Sequence, residues 1–406
     1  MVIQDPEAQA AQEATPAPAA AQRVIPTLAS LSPGQVAAIR RLRPIEQTPM
    51  PTDEARRPAR HFVDPAHFER ERQAILQRRP LPVALSVQLP EPNQLLALES
   101  YGKPLLLTRN AKGEPKVFLN VCRHKGSKLV ERTDVFKGGR VSCPYHGWTF
   151  GVDGRLVGVP RQEAFPTLRK EDHGLVELPS REAGGVIWAH LDPGATPDFG
   201  SIPDELVADL DGFRLGSLHL YGQKTFELPA NWKLVIEPFL EPYHIQRLHA
   251  SSVAGMFADV PNLTETLGDH LRQVSGRVNF TPALLDTQRD ENIHKIVTHA
   301  YILFPGTVLI TSPYYISVMI IQPRAVNHST VQYFMLTREA PDNDKAEELF
   351  ARSYEMILSV FGTEDFRAAC LSQAGLEAGG LQELLYGGME VNIPLFYGIV
   401  ERHLER

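Results

Sequence analysis

Apolar residues alternate with other residues over positions 81–89, which is the pattern of a β-strand. Shorter apolar runs follow, and turn residues separate them; one such turn, Asp153-Gly154, favours a tight hairpin. The predicted strands of this region are 81–89, 105–108, 116–121, 149–152, 155–157 and 186–191. Residues 59–200 are therefore predicted to form a small all-β domain, with a helix over 66–77 near its start and a Pro/Gly/Asp-rich linker over 192–203 at its end.

Beyond this linker the pattern changes to longer strands and then to helices. The predicted strands are 273–280, 299–304, 307–311, 314–322 and 330–337, and the predicted helices are 342–361, 364–375 and 394–405. Antiparallel strands followed by helices indicate an α+β fold. We therefore expect a second domain over residues 201–406.

The N-terminal residues 1–58 differ from both domains. Residues 1 to about 28 are rich in Ala, Pro, Gln and Glu, with too few large apolar side chains to offset the entropy of ordering. We expect a mobile tail there. Ser32-Pro33 then supplies an N-cap and a first-turn proline, which predicts a short helix as far as Arg43.

Two Cys/His pairs lie within the predicted β domain. Cys122 and His124 form the first pair, and Cys143 and His146 form the second. Two thiolates and two imidazoles suit a Rieske [2Fe–2S] centre, in which the cysteines hold one iron and the histidines hold the other. A tetrahedral zinc site, a disulfide and unconnected core residues are the alternatives. Zinc does not explain the glycine after each pair, and a disulfide leaves both histidines without a role.

The segments NVCRHKGSKL and SCPYHGWTF resemble the Rieske motif of ring-hydroxylating oxygenase α subunits. Lys125 stands where those proteins usually have Arg, a change that should leave the ligands unaffected. The resemblance extends over about residues 59–400. It implies a Rieske domain followed by a catalytic domain of the helix-grip, START-like kind, in which helices cover an antiparallel sheet and a mononuclear Fe(II) is bound.

A second group of polar residues follows at Asn231-Trp232-Lys233, with two carboxylates and then His244 and His249. A face of two His and one carboxylate suits a mononuclear ferrous site with open positions for O₂. On an ideal helix a spacing of five places two side chains ~140° apart. Both histidines can reach one iron only if the helix is distorted or ends near His249. Taken alone, two exposed helical histidines would explain the spacing.

The segment resembles the iron-binding helix of Rieske oxygenases, and this resemblance implies that His244 and His249 are iron ligands. The family's third ligand is a carboxylate in a C-terminal acidic pair, and Asp365 takes that position here, with Glu364 as the alternative. Glu364 and Asp365 also fit an acidic first turn favoured by the helix dipole.

Glu241 takes the place of the carboxylate that bridges, in the family, a cluster histidine of one subunit and an iron-ligand histidine of its neighbour. That residue is usually Asp, and Glu occurs in branches that oxidise quaternary amines such as carnitine. Glu241 can otherwise be read as a solvated helix charge. Pro238 replaces an Asn that often follows the family's glutamate, so no role of that Asn is expected here.

The composition of the chain limits the kinds of binding partner and the cellular location that are expected. The formal net charge of −7 argues against nucleic acid, and no run of about eighteen apolar residues suggests a membrane span. No secretory signal is recognisable at the N-terminus. With two of the three cysteines in the cluster motif, only Cys370 remains, so no disulfide framework is possible and a cytoplasmic location is expected.

The resemblance implies a terminal oxygenase that uses O₂ to hydroxylate, demethylate or dihydroxylate a small organic substrate. A separate NAD(P)H-dependent reductase or ferredoxin would deliver the electrons, and a head-to-tail homotrimer would place each cluster against a neighbour's iron. The rival functions are a Rieske electron carrier without mononuclear iron and a non-catalytic ligand-binding protein. Five aromatic residues are candidates for the substrate pocket, although core packing also explains them: Tyr301, Phe304, Tyr314, Tyr315 and Tyr333.

Overall fold

The computed structural model describes residues 25–287 and 289–405. Most of the predicted N-terminal tail therefore lies outside the described residues. The short helix predicted after Ser32 is present as α1 (Pro33–Arg40), and the Ser32 and Gln35 side chains form a capping box at its start.

Three small antiparallel sheets form the region that carries the Cys/His pairs. Their strands are β2 (Leu81–Leu85), β3 (Gln94–Ser100), β4 (Lys103–Arg109), β5 (Pro115–Leu119), β6 (Phe136–Lys137), β7 (Arg140–Ser142), β8 (Thr149–Gly151), β9 (Leu156–Gly158), β10 (Glu177–Leu178), β11 (Ser180–Ala183) and β12 (Val186–Ala189). The sheet orders are β10-β5-β4-β3-β6, β7-β8-β9 and β11-β12-β2.

A seven-stranded antiparallel sheet organises the second region, in the order β13-β19-β18-β17-β16-β15-β14. Its strands are β13 (His219–Leu228), β14 (Leu263–Leu267), β15 (His270–Gly276), β16 (Val297–Leu303), β17 (Thr307–Thr311), β18 (Tyr315–Ala325) and β19 (His328–Thr337). A separate two-stranded sheet pairs β1 (Ala55–Pro58) with β20 (Glu383–Tyr386), so the N-terminal part of the chain joins the C-terminal part.

Helices cover both faces of the large sheet. The helices that follow α1 are α2 (Arg60–Val63), α3 (Pro65–Glu71), α4 (Asp204–Gly212), α5 (Trp232–Ile236), α6 (Ile245–Leu248), α7 (Leu284–Thr287), α8 (Asp344–Ser359), α9 (Phe366–Glu377) and α10 (Asn392–Leu404). Along β18, Met319 and Ile321 pack with α5, α9 and α10, whereas Val318 and Ile320 pack with α1 and α4. Burial on both faces explains why this strand is apolar at successive positions.

The α+β fold class predicted from the sequence is confirmed by this architecture. Two strands of the large sheet were missed, β13 and β14, and both are its edge strands. Outside that sheet the missed strands are β1, β3, β6, β7, β10, β11 and β20. β13 is mostly exposed or half-buried, so it lacks the apolar run that identifies an inner strand. The strand predicted over 81–89 was too long, because the chain leaves β2 after Leu85 and forms a helical turn.

A buried ion pair joins α3 to α5, immediately before the second candidate site. Lys233 Nζ donates to Glu71 Oε1 at 2.6 Å, and Trp232 Nε1 donates to Glu71 Oε2 at 3.0 Å. The Glu71 and Lys233 side chains are both almost fully buried, at 2% and 1% exposure. Neither charged group is exposed to water, so each is stabilised by the opposite charge of the other.

We predict that Glu71→Gln lowers the free energy of unfolding by about 3–5 kcal/mol, because Lys233 is left as a buried charge without its counter-ion. Denaturant unfolding of the purified protein measures the change. Glu71→Gln combined with Lys233→Met should recover most of the loss, because the orphaned charge is removed. An unchanged unfolding midpoint for Glu71→Gln alone would contradict this account.

Candidate metal centres

The two Cys/His pairs lie on two turns with the same backbone hydrogen bonds. Gly126 N–H donates to the Cys122 carbonyl and Gly147 N–H donates to the Cys143 carbonyl, each at 3.0 Å. Each cysteine N–H in turn donates to the carbonyl five residues ahead, at 2.8 Å. Gly126 and Gly147 have φ values of +75° and +70°, a left-handed conformation that glycine adopts without a steric penalty. The two glycines therefore allow the chain to form both turns.

These turns bring the four side chains together. The Cys122 and Cys143 thiols are buried and interact with each other, whereas His124 and His146 are half-exposed, with ring centroids 4.6 Å apart. The His124 ring also stacks on Trp148 at 4.8 Å, which fixes its plane. The sulfur donors therefore lie inside and the imidazoles lie nearer the surface.

Burial and neighbouring groups shift the pKa values of three of these side chains, and the shifts of Cys143 and His124 favour the deprotonated forms that bind metal. Burial raises the pKa of Cys122. Burial acts in the same direction on Cys143, but backbone N–H groups of Tyr145 and His146 donate to its sulfur, and the net effect lowers the pKa of that thiol. Burial and the neighbouring His146 and Lys125 lower the pKa of His124, which favours the neutral imidazole that metals require. His124 Nδ1 is buried and has no hydrogen-bond partner among the described residues, so this nitrogen is available to a metal.

The second site begins at α5, where the Asn231 side chain accepts from Lys233 N–H at 3.0 Å and caps the helix. The helical stretch expected to hold both histidines is not continuous. It breaks near Pro238 and Pro242, because proline has no N–H to donate and its ring clashes with a preceding helical turn. What remains after the break is α6, a helix of only four residues.

His244 immediately precedes α6 and His249 immediately follows it. Both histidines therefore lie at helix ends, which is the arrangement that their spacing of five required. Their ring centroids are 5.0 Å apart and their planes differ by 76°. The short helix thus turns both imidazoles toward one point.

Asp365 supplies a carboxylate at that point. Asp365 Oδ1 lies 3.5 Å from His244 Nε2 and 3.2 Å from His249 Nε2, and one potential ligand atom from each residue lies within 4.8 Å of the others. The carboxylate ends a π-helical segment, Val360–Asp365, that connects α8 to α9. Such segments insert an extra residue into a turn and often occur at functional sites.

The Asp365 side chain is only 2% exposed, and its Oδ1 has no hydrogen-bond partner in the described chain. A buried carboxylate oxygen without a donor is costly unless a cation neutralises it. The Nε2 atoms of His244 and His249 are close to this oxygen but make no hydrogen bond with it. Two imidazoles and one carboxylate are the donor set of a facial ferrous site, so these residues fit mononuclear iron.

A second carboxylate lies behind each histidine. Glu241 Oε1 is 2.7 Å from His244 Nδ1, and Glu364 Oε2 is 2.5 Å from His249 Nδ1. Such contacts fix the tautomer of a metal-binding imidazole and raise its basicity. Burial on its own lowers the pKa of His249, but the nearby carboxylates of Asp365 and Glu364 outweigh that effect and raise it.

Glu364 therefore does not lie with the three converging atoms, although the acidic pair offered it as an alternative. It also accepts a hydrogen bond from Ser252 Oγ at 2.8 Å. This supporting role of Glu364 was not predicted from the sequence. The one sequence signal for this role was that Glu364 is next to Asp365. Adjacent side chains on a helix point in different directions, so the two carboxylates were not expected to bind the same atom.

The five candidate aromatic residues divide into two groups. Tyr314 and Tyr315 line a cavity that includes His244, His249 and Asp365. Tyr301, Phe304 and Tyr333 are instead fully buried core residues, and the Tyr301 hydroxyl donates to Asp209 at 2.8 Å. A five-residue aromatic cage is therefore not formed, and the simpler explanation of core packing is correct for three of the five.

Two family models match the chain over separate ranges. Residues 79–169 match the Rieske [2Fe-2S] domain, and residues 215–406 match the ring hydroxylating alpha subunit, catalytic domain. The first range contains all four residues of the Cys/His pairs. The second contains Glu241, both histidines and Asp365.

Curated proteins with similar sequences include two kinds of oxygenase subunit. The biphenyl 2,3-dioxygenase subunit alpha of Rhodococcus jostii (strain RHA1) is 32% identical over 209 residues, which cover 50% of this chain and 45% of that protein. The carnitine monooxygenase oxygenase subunit of Escherichia coli (strain K12) is 25% identical over 328 residues, which cover 80% of this chain and 84% of that protein. The chain thus matches less than half the length of the first and most of the second.

Solved structures show the same fold. A quaternary ammonium Rieske monooxygenase in complex with L-carnitine superposes with a TM-score of 0.72 and 22% identity, over 85% of this chain and 94% of that one. Naphthalene 1,2-dioxygenase from Rhodococcus sp., bound to indole, superposes with a TM-score of 0.70 and 21% identity, over 86% and 94%.

The two turn glycines allow a matched test of the cluster loops. A Cβ at Gly147 would lie 3.1 Å from Pro160 Cγ, whereas a Cβ at Gly126 would meet nothing within 4 Å. Both Ala substitutions force a side chain into the left-handed region, at a cost of about 1–2 kcal/mol each. Only Gly147→Ala adds a steric contact. We predict that it lowers iron and acid-labile sulfide content more than Gly126→Ala does. Equal losses would show that the Pro160 contact is unimportant.

Proposed function

This chain belongs to the Rieske ring-hydroxylating oxygenases as an α subunit, and we propose that it is the terminal oxygenase of a system that oxidises a small organic substrate with O₂. The observation that carries the proposal is the convergence of His244 Nε2, His249 Nε2 and Asp365 Oδ1 on one point. An electron carrier or a passive ligand-binding protein has no need of that arrangement, which leaves a buried carboxylate oxygen without a donor.

Cys122, Cys143, His124 and His146 would hold the [2Fe–2S] cluster, which supplies single electrons when bound. The turns around Gly126 and Gly147 would position the four donors. The half-exposed histidines offer a short route between the cluster and the outside of the domain. A separate reductase or ferredoxin, which members of this family use, would deliver electrons from solution.

His244, His249 and Asp365 would hold the mononuclear iron, which binds and activates O₂ at its open positions. The protein's own contribution is to orient these ligands. Glu241 and Glu364 accept hydrogen bonds at the two Nδ1 atoms, so each imidazole presents its Nε2 lone pair to the metal. Because Asp365 is buried, water has little access to its metal-facing oxygen.

Glu241 has a second role in this proposal. Both of its carboxylate oxygens are engaged by His244, Oε1 at the ring Nδ1 and Oε2 at the backbone N–H at 3.0 Å. Each oxygen retains a lone pair that can accept from another donor. We propose that a cluster histidine of a neighbouring copy supplies that donor in a head-to-tail homotrimer, so that Glu241 links cluster and iron.

We propose a cytoplasmic location, because the chain has only three cysteines and two of them are in the cluster motif. No helix over residues 25–287 and 289–405 is long and apolar enough to cross a membrane.

Metal analysis of variants tests the iron site. We predict that Asp365→Ala removes one iron per chain and leaves the acid-labile sulfide and the Rieske EPR signal unchanged, because the cluster ligands are in another part of the fold. Glu364→Ala should retain that iron with weakened affinity, by about 10–100-fold, because it only supports His249. If Glu364→Ala loses iron and Asp365→Ala does not, the ligand assignment is wrong.

The proposed link through Glu241 has its own test. We predict that Glu241→Gln slows oxidation of the reduced cluster by O₂ at least ~10-fold, because the amide nitrogen cannot accept a hydrogen bond. Stopped-flow absorbance of the cluster measures this rate. Glu241→Asp keeps the charge and should be less impaired. Unchanged cluster oxidation in Glu241→Gln, with full iron content, would exclude this residue from the electron path.

A further inference from the structure

The residues that line the cavity beside the iron site indicate what kind of substrate it can bind. It has a volume of about 350 Å³, and His244, His249 and Asp365 lie on its wall. Much of the remaining wall is apolar, including Met256, Phe257, Ile310, Ile357 and Phe361. A cavity of this size and polarity suits one small molecule with a substantial apolar part.

Arg277 is the one lysine or arginine among the residues that line this cavity. It directly follows β15, and its guanidinium lies over the Phe257 ring, with the central carbon 5.4 Å from the ring centroid. The structure shows no ion pair or side-chain hydrogen bond for Arg277 with any described residue. Burial lowers the pKa of Arg277, which reflects the cost of keeping this charge away from water.

Thr298 provides a second, independent observation. It lines the same cavity, is 5% exposed, and its Oγ1 has no hydrogen-bond partner within the described ranges. Buried hydroxyls without partners are uncommon in folded proteins. A hydroxyl facing a ligand cavity can donate to a ligand instead.

The sheet register places these two groups on one wall. Thr298 on β16 is directly opposite Ser275 on β15, and Arg277 N–H donates to the carbonyl of Ile296 at 2.9 Å. Arg277 lies two residues after Ser275, so the side chains of Arg277 and Thr298 are diagonal neighbours on the same face. Tyr315 is close enough for its phenol to interact with the Arg277 charge.

The two carboxylates in the cavity wall belong to the iron site. Glu241 is held by His244, and Asp365 lies between the two histidines. Arg277 therefore gives the part of the cavity away from these ligands an unbalanced positive charge. A substrate that is only cationic would be repelled there, whereas an anionic group would recover the desolvation cost of the guanidinium.

We propose that the substrate carries a carboxylate, which binds to Arg277 and Thr298 while the rest of the molecule extends toward the iron site. The inference rests on the oxygenase function proposed above and adds the chemical class of the substrate. Arg277 sets the orientation, because an ionic anchor at one wall determines which carbon of a small molecule reaches the metal. Substrates of matched shape without the carboxylate should bind poorly.

Isothermal titration of the anaerobic holoenzyme with two pairs of probes tests this inference. The first pair is 3-phenylpropionate and its amide, and the second is glycine betaine and choline. We expect the acid of at least one pair to bind at least ~10-fold more tightly than its uncharged or purely cationic counterpart, because a hydrogen bond between charged groups contributes more than a neutral one.

The variant Arg277→Met should abolish that preference, and Arg277→Lys should restore part of it. Arg247→Met is the matched control. Arg247 also lies over an aromatic ring, that of Tyr243, at 5.3 Å, but it is not on the cavity wall. This control should bind the acid as the wild type does. Iron content is measured on every sample.

The outcomes separate the two proposals. If every preparation holds its mononuclear iron but neither acid is preferred, or if the preference survives Arg277→Met, the carboxylate inference is wrong and the oxygenase function is unaffected. If the wild-type protein binds no mononuclear iron when it is supplied with Fe(II), the oxygenase function fails, whatever the probes show.

Discussion

A buried carboxylate that faces two imidazoles, with no donor for its inner oxygen, is the constraint on which the site depends. Asp365 is stable in this position only if a cation shares it. The local backbone brings the three side chains together, because a π-helical segment ends at Asp365 and a helix of four residues separates His244 from His249. Glu241 and Glu364 then fix the two rings from behind, so each histidine contacts a carboxylate on both sides.

The two metal centres bring their donor side chains together in different ways. In the cluster region, two glycines in left-handed conformation form two matching turns, and the donors come from local sequence. At the iron site, the donors come from segments more than a hundred residues apart, and α5, α6 and α9 must pack correctly before they meet. The buried Glu71–Lys233 pair supports that packing by joining α3 to the start of the iron-binding segment. Stability and function are therefore connected at Lys233.

Local patterns in the sequence were sufficient to predict much of this structure. The inner strands of the large sheet were visible because Val318 and its neighbours are buried on both faces. The His244–His249 spacing predicted that the helix had to be distorted or to end near His249. The edge strand β13 was missed because its polar residues face solvent. The roles of Glu364, Arg277 and Thr298 depend on contacts between distant segments, which no local pattern specifies.

The central claim is that His244, His249 and Asp365 hold a ferrous ion with open positions. Anaerobic EPR of the reduced protein after exposure to nitric oxide tests it most directly, because nitric oxide binds an iron only where a position is free. We expect a high-spin ferrous–nitrosyl signal in addition to the Rieske signal, and we expect the nitrosyl signal to be absent in His249→Ala. A Rieske signal alone, from protein supplied with Fe(II), would contradict the account.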